Sequence, residues 1–349
     1  MLLQRSGEHS LDVIIFPSYP GSTPRSNRYS HALDASAHSS RIRKLLIFPS
    51  ENRNEMKHFV RIFSKPAPNL THLELAAFLP VEKTISFPNL FGLDFPKLRV
   101  LKVSGVEAWP EIVGANLTSI TINVSFDPQL LKRCIPYSPN LRVLKFRSIW
   151  EFTKPDLSAW PRIALPPRVS IVIKSSRMCP HILALFSLPR DGHIKVEPPV
   201  RLVPTVPLLS YVLPTEISHL QNLRTLTRLH MKTRLDAKAT FGLKCFKLDR
   251  PAFEVDVEYP FGSRAMAQKN ASPVMWFWGS LHQIVLRGVE ELRMEGFVGP
   301  LEPQAAELLA FLKRMPALLR LVTTDDNEEI FRSTLDSLGC QAVVIRVDQ

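Results

Sequence analysis

The sequence predicts an α/β fold of stacked layers, with parallel strands on one face and helices on the other. Three observations carry this expectation. A strand-like phrase is written twice, an apolar template recurs at even spacing, and capped helical segments fall between the strand candidates. The phrase is "FPKLRVLKVSGV" at residues 95–106, with the near copy "SPNLRVLKFRSI" at 138–149. Both place apolar residues at positions 0, +3 and +5, and the last two share a strand face because side chains alternate.

The first strand candidate is "LDVIIF", residues 11–16. The template follows as Ile42-Leu45-Ile47, Leu70-Leu73-Leu75, Leu98-Leu101-Val103, Leu117-Ile120-Ile122 and Leu141-Leu144-Phe146. Its first positions are 28, 28, 19 and 24 residues apart, close to the roughly 20–29 of a leucine-rich repeat. One strand and one helix cannot bury their apolar faces alone, whereas stacked copies share a continuous core. The uneven intervals and the missing asparagine of the LxxLxLxxN signature make the expected array an irregular leucine-rich-repeat solenoid.

Between strands, "NEMKHFVRIF" sets Met56, Phe59, Val60 and Phe63 on one helical face before Pro66. "FDPQLLKRCI" offers Asp127 as N-cap and Pro128 at the first helical position, with Leu130, Leu131 and Cys134 on one face. "RVSIVI", 168–173, is a strand candidate in a region where the template is weak. "EPPVRLVPTVPLLSYVLP", 197–214, reads as a proline-rich excursion. The expected organisation is therefore an N-terminal array over 1–196, a linker over 197–215 and a C-terminal array over 216–349.

The second array carries Leu226-Leu229-Met231, Leu243-Phe246-Leu248, Leu281-Ile284-Leu286, Val289-Leu292-Met294, Leu318-Leu321-Thr323 and Ala342-Ile345-Val347. Its helices are clear. In "LEPQAAELLAFLKRMP" Leu308, Leu309 and Leu312 form the stripe, and Lys313 with Arg314 suit the negative end of the dipole. In "DDNEEIFRSTLDSLG" Glu328 and Glu329 stand in the first turn and Gly339 at the C′ position.

At 349 residues and 45% hydrophobic, the chain can bury a large core. Thirty prolines against 13 glycines imply short elements with frequent connections. The net charge of +12 suits acidic proteins, nucleic acid or anionic surfaces. The basic residues are scattered, with "RIRK" at 41–44 the longest cluster, and a basic nucleic-acid-binding surface is the alternative reading rather than the first. No apolar run reaches the roughly 18 residues of a membrane span, and no secretory leader is visible at "MLLQRSGEHS". A cytoplasmic or nuclear setting is expected, and the sequons at Asn69, Asn116, Asn123 and Asn270 read as fortuitous.

Chemistry-bearing motifs are missing: there is no GxGxxG, Walker A, GxSxG or HExxH. Cys134, Cys179, Cys245 and Cys340 stand apart, as buried thiols do, without zinc or redox spacing. The acidic run "TDDNEE", 324–329, lacks calcium-loop spacing and fits a helix start. "VMWFWGS", 274–280, reads as core packing. A binding protein without cofactor or catalytic residues is expected. Its contact surface would be the strand face opposite the template, carrying Lys44, His72, Glu74, Lys102, Thr121, Lys145 and Arg147. Lys102, Lys145 and Arg147 on successive layers would favour an acidic protein target.

The chain also resembles the F-box-like leucine-rich-repeat proteins of basidiomycete fungi. The matching stretches are "LQRSGEHSLDVII", "HSSRIRKLLI", "SKPAPNLTHLEL", "FPNLFGLDFPKLRVLKVSGVEAWP", "NLTSITI", "SPNLRVLKF", "LFSLPRDGHIKV", "LQNLRTLTRLHM", "VEELRM" and "LKRMPALLRLV". The resemblance implies the substrate-recognition part of an adaptor–cullin ubiquitin-ligase receptor, in which the repeats hold the target. In that family a helical F-box precedes the "RSG…LDV" strand. Here the chain starts at that strand, so no adaptor-binding residue is carried over, and the adaptor is an expected partner only with an upstream F-box.

Overall fold

The computed structural model describes residues 9–15, 37–48, 64–76, 95–104, 116–123, 128–149, 161–174, 178–197, 208–235, 239–258, 281, 284–296, 305–323 and 328–346. The chain divides into two compact units, Met1–Asp156 and Leu157–Gln349. Each is α/β with a mostly parallel sheet. The proline-rich stretch expected as a linker lies within the second unit, where Leu208–Tyr211 forms a 3-10 turn and Leu209 is buried.

The first unit is a run of parallel strands in chain order: β1 (Leu11–Ile15), β2 (Ile42–Ile47), β3 (His72–Ala76), β4 (Val100–Ser104), β5 (Ser119–Asn123) and β6 (Val143–Arg147). Register follows the template. Val13, Leu45, Leu73, Leu101, Ile120 and Leu144 stand side by side across the six strands. Two residues on, Ile15, Ile47, Leu75, Val103, Ile122 and Phe146 form a second row. From β2 to β6 every member of both rows is buried. At about 1.5–3 kcal/mol per buried aliphatic side chain, these rows dominate the unit's stability.

Position 0 of the template has its own role. The amides of Leu70, Leu98 and Leu141 donate to the carbonyls of Ala67, Phe95 and Ser138, each at 3.0 Å. The repeated unit is thus a tight turn plus a strand. The residue just before position 0 links one layer to the next. Asn69 Nδ2 donates to the Ser40 carbonyl at 2.7 Å, Lys97 Nζ to Asn69 Oδ1 at 2.7 Å, and Asn140 Nδ2 to Asn116 Oδ1 at 2.7 Å. That ladder is the physical reason the phrase opens on "NL" or "KL". Helix α1 (Pro128–Cys134) buries Leu131 and Cys134. Asp127 and the "NEMKHFVRIF" helix lie outside the described residues.

The second unit contains β7 (Ile163–Ala164), β8 (Ser170–Lys174), α2 (Cys179–Ala184), β9 (Phe186–Ser187), β10 (His193–Glu197), β11 (Arg228–Leu235), β12 (Ala239–Lys247) and β13 (Arg250–Glu258). It continues with β14 (Glu291–Glu295), α3 (Ala305–Leu312), β15 (Arg320–Thr323), α4 (Glu328–Ser337) and β16 (Val343–Arg346). The sheet order is β8-β10-β13-β12-β11-β14-β15-β16, with β7 and β9 forming a separate pair. All neighbours are parallel except β12, which runs antiparallel to both β11 and β13.

That hairpin corrects one template match. Leu243-Phe246-Leu248 lies on the reversed strand: Leu243 is buried, but Leu248 is 69% exposed in the following turn at φ +54°. Arg228 clamps this turn, donating to the Leu248 carbonyl at 2.8 Å and to Asp249 at 3.0 Å while stacking over Phe246. Leu281-Ile284-Leu286 is buried in the approach to β14 and is not a strand. In β16 the register sets Val344 beside Leu321, so Ile345 of the expected Ala342-Ile345-Val347 turns to the other face; Val347 lies outside the described residues.

Among the described residues four α-helices stand against sixteen strands, so the expected alternation of one helix per strand is not seen there. Helix α3 buries Leu308, Phe311 and Leu312, and Arg314 beyond its end donates to the Leu281 and Ile284 carbonyls at 2.9 Å. Helix α4 buries Phe331 and Leu335 and ends at Gly339, φ +63°. There the Gly339 and Cys340 amides return to the Asp336 and Leu335 carbonyls at 3.0 Å, a Schellman closure. Among the described residues no helix is long and apolar enough to cross a membrane.

Candidate binding face

Alternation along a strand sends every second side chain away from the core. In the first unit this places Lys44, His72, Glu74, Lys102, Thr121, Lys145 and Arg147 on one face, as their register shows. Lys44 is beside His72; Glu74, Lys102, Thr121 and Lys145 form a row; and Arg147 lies beside Asn123. Thr121 separates Lys102 from Lys145 and is 9% exposed, so it contributes little surface.

The charges on this face are organised across strands. Lys102 Nζ lies 3.1 Å from Glu74 Oε2, and Lys44 Nζ lies 3.6 Å from Asp12 Oδ2. Asp12 also takes a two-pronged hydrogen bond from Arg43, at 3.2 and 3.1 Å, and that bond holds its carboxyl below the usual range. Burial, then the Lys44 and Arg43 charges, pushes His72 down, so its ring is a neutral partner for Thr71 Oγ1 at 2.8 Å. Asp12 was not among the expected residues, although its place in "LDVII" opposite the buried set was legible.

The larger charged face belongs to the second unit and was not anticipated. Lys195, Glu254, Lys244, His230 and Arg293 stand side by side on β10, β13, β12, β11 and β14. Around Glu295 the packing is dense: Lys232 Nζ is 3.0 Å from Oε2, Arg293 Nε 2.5 Å from Oε1 and His230 Nε2 3.4 Å from Oε1. Burial alone would raise the Glu295 carboxyl, but the Lys232 and Arg293 hydrogen bonds outweigh it and bring the pKa down to about 2. Desolvation lowers His230, against the pull of Glu295.

A second knot joins β8, β10 and β13. Ser170 Oγ is 3.0 Å from His193 Nδ1, and His193 Nε2 is 3.3 Å from Glu254 Oε1. The His193 ring holds Glu254 below the usual carboxylate range, with Lys244 Nζ at 3.8 Å adding to the effect.

Exposure separates the two signs. Glu254 and Glu295 are 14% exposed, whereas Lys232 and Lys244 are 45% and Arg293 is 42%. These two carboxylates are recessed, and the cations beside them project.

Three of the four thiols expected to be buried are so; Cys340 is only partly covered, with its Sγ 3.8 Å from the Leu318 carbonyl. Cys134, Cys179 and Cys245 are buried, and burial pushes Cys179 up to about 12 and Cys245 higher still. "VMWFWGS" and residues 324–327 of the acidic run lie outside the described residues, while Glu328 and Glu329 occupy the first turn of α4. Among the described residues no group of three or more His, Cys, Asp or Glu side chains could hold a metal ion. No protein-family model matches the chain, and no curated protein is significantly similar to it.

Proposed function

We propose that this chain is a protein-binding repeat scaffold, an irregular leucine-rich-repeat solenoid whose outward strand face contacts a protein target. The observation that carries the reading is the division of labour along each strand of the first unit. Inward positions are buried apolar side chains aligned across the five strands β2 to β6, while outward positions change from strand to strand. Stacked layers need only the inward positions, which leaves the outward ones available for recognition. The resemblance of the repeated phrases to F-box-like leucine-rich-repeat proteins supports the same role: the substrate-recognition part of a ubiquitin-ligase receptor, working inside the cell. An adaptor contact belongs to this reading only through an F-box.

The test uses peptides selected on the purified chain from an unbiased display library. A photo-crosslinking residue is placed at Lys102 on the strand face, and separately at the exposed Arg332 of α4. Crosslinks from position 102 and none from 332 are expected; the reverse pattern would sink the proposal.

A further inference from the structure

We infer that the second unit's outward face, from β12 to β16, is a docking track for an extended peptide that carries acidic residues followed by bulky aliphatic ones. This rests on the reading of the strand face as the contact surface, and it names the partner's chemistry.

Two independent observations meet on one row. The register sets Lys244, His230, Arg293, Val322 and Ile345 side by side across β12, β11, β14, β15 and β16. The first part is cationic. Lys244, Arg293 and the adjacent Lys232 are each 42–45% exposed, while Glu295 beneath them is 14% exposed. Glu295 already accepts from Lys232 and Arg293, yet both cations keep unused donors, since an ammonium has three and a guanidinium five. A partner carboxylate meets outward N–H groups before it meets the recessed acid. His230 sits between Lys244 and Arg293 and adds positive charge only when protonated.

The last part of the row is apolar. Val322 is only 9% exposed, but Ile345 is 38% exposed and Val343, on the same face of β16, is 60% exposed. These aliphatics sit at the margin of the sheet, where β16 is paired only with β15 among the described strands. Strands lie about 4.8 Å apart, so Arg293 and Ile345 are separated by roughly 10 Å, the length of about three extended residues. A peptide laid across the strands thus meets cations, then aliphatic side chains, within one short segment.

An acidic peptide fits better than nucleic acid. Glu254 lies next to Lys244, and the exposed Asp256 lies opposite Gly242, whose Cβ would sit 3.1 Å from Asp256 Oδ1. A continuous phosphate backbone would be repelled at those points. A short acidic segment over Lys244, Lys232 and Arg293 avoids them.

The probe is the fluorescein-labelled peptide EEEESGSLLG, titrated against the full chain by anisotropy, with QQQQSGSLLG, EEEESGSSSG and an oligo-dT of matching length as comparisons. EEEESGSLLG should bind most tightly, and added salt should weaken it. Lys232→Glu with Lys244→Glu should weaken it by about tenfold or more. Val343→Ser with Ile345→Ser should remove its advantage over EEEESGSSSG. Lys232 and Lys244 are 45% exposed, Val343 60% and Ile345 38%, and Lys232 also pairs with Glu295. Each variant is therefore compared with the parent only where thermal melting shows it folded, and Lys244→Glu alone serves as the second cationic variant. Equal affinity for the three peptides, or variants without effect, overturns the inference. So does tighter binding of oligo-dT. Library peptides that crosslink to position 102 while EEEESGSLLG shows no preference would overturn this inference and leave the strand-face reading standing.

Discussion

Lys232 Nζ lies 3.0 Å from Glu295 Oε2 across the β11–β14 pair, and the same carboxylate takes Arg293 Nε at 2.5 Å. A group whose folded pKa is depressed to about 2 contributes stability that is present above the ordinary value near 4.5 and lost as pH falls through 2. Glu295→Gln should therefore be less stable than the parent at neutral pH. The gap should close between pH 4.5 and about 2, read from urea midpoints across that range. A gap that stays constant with pH would show that the ion cluster does not control the effect.

His219 makes the same demand on protons at a higher pH. It is 6% exposed, its Nε2 lies 3.2 Å from the Leu183 carbonyl, and burial lowers its pKa. The unfolded chain then binds more protons once the pH drops below about 6.5, so stability is full above that value and declines beneath it. His219→Gln should flatten the decline between about pH 7 and 5 in thermal melts. An unchanged slope would assign the acid sensitivity to His230 or His72, whose values are also lowered.

Leu101 and Val100 are neighbours with opposite fates. Leu101 is fully buried between Leu73 and Ile120, whereas Val100 is half-buried on the outward face. Leu101→Ala should cost about 2–5 kcal/mol in the unfolding of the first unit, because the aligned rows leave a cavity. Val100→Ala should cost well under half as much. Similar costs would mean that the inward row is not the packed side.

Gly296, at φ +72°, follows β14, and a Cβ there would collide with the Thr233 carbonyl. Thr233 Oγ1 also donates to the Gly296 carbonyl, so the backbones of β11 and β14 meet at this point. Gly296→Ala should destabilise the second unit by at least about 1 kcal/mol, the usual cost of a left-handed conformation with a side chain. Denaturant titration gives the answer, and a neutral substitution would mean that the contact relaxes freely.

A substitution on the first unit's face separates recognition from folding. Lys102→Glu with Lys145→Glu should weaken selected partners while shifting the melting temperature little, because exposed ion pairs such as Lys102–Glu74 contribute about 0–1 kcal/mol. Unchanged partner affinity would move the contact surface to the second unit alone.

The sequence by itself determined what is local. Inward and outward positions of β2 to β6 were legible because a period of two, read from residues such as Leu73 and Leu75, needs no knowledge of neighbours. The end of α4 at Gly339 was legible for the same reason, since a cap acts within one turn. Strand direction was not legible. β12 alternates as any strand does, so "LKCFKL" fitted a parallel template while the chain turned back on itself at Leu248. Nor was register at the margin: "AVVIRV" fits the template only as Ala342-Ile345-Val347, whereas the pairing of Val344 with Leu321 turns Ile345 to the other face. The charged face of the second unit was the least legible. Lys232 and Glu295 are 63 residues apart, and what brings them within hydrogen-bond reach is the pairing of β11 with β14 around an antiparallel hairpin. Alternation is written in each segment; which segments become neighbours is decided only when the whole sheet closes its hydrogen bonds.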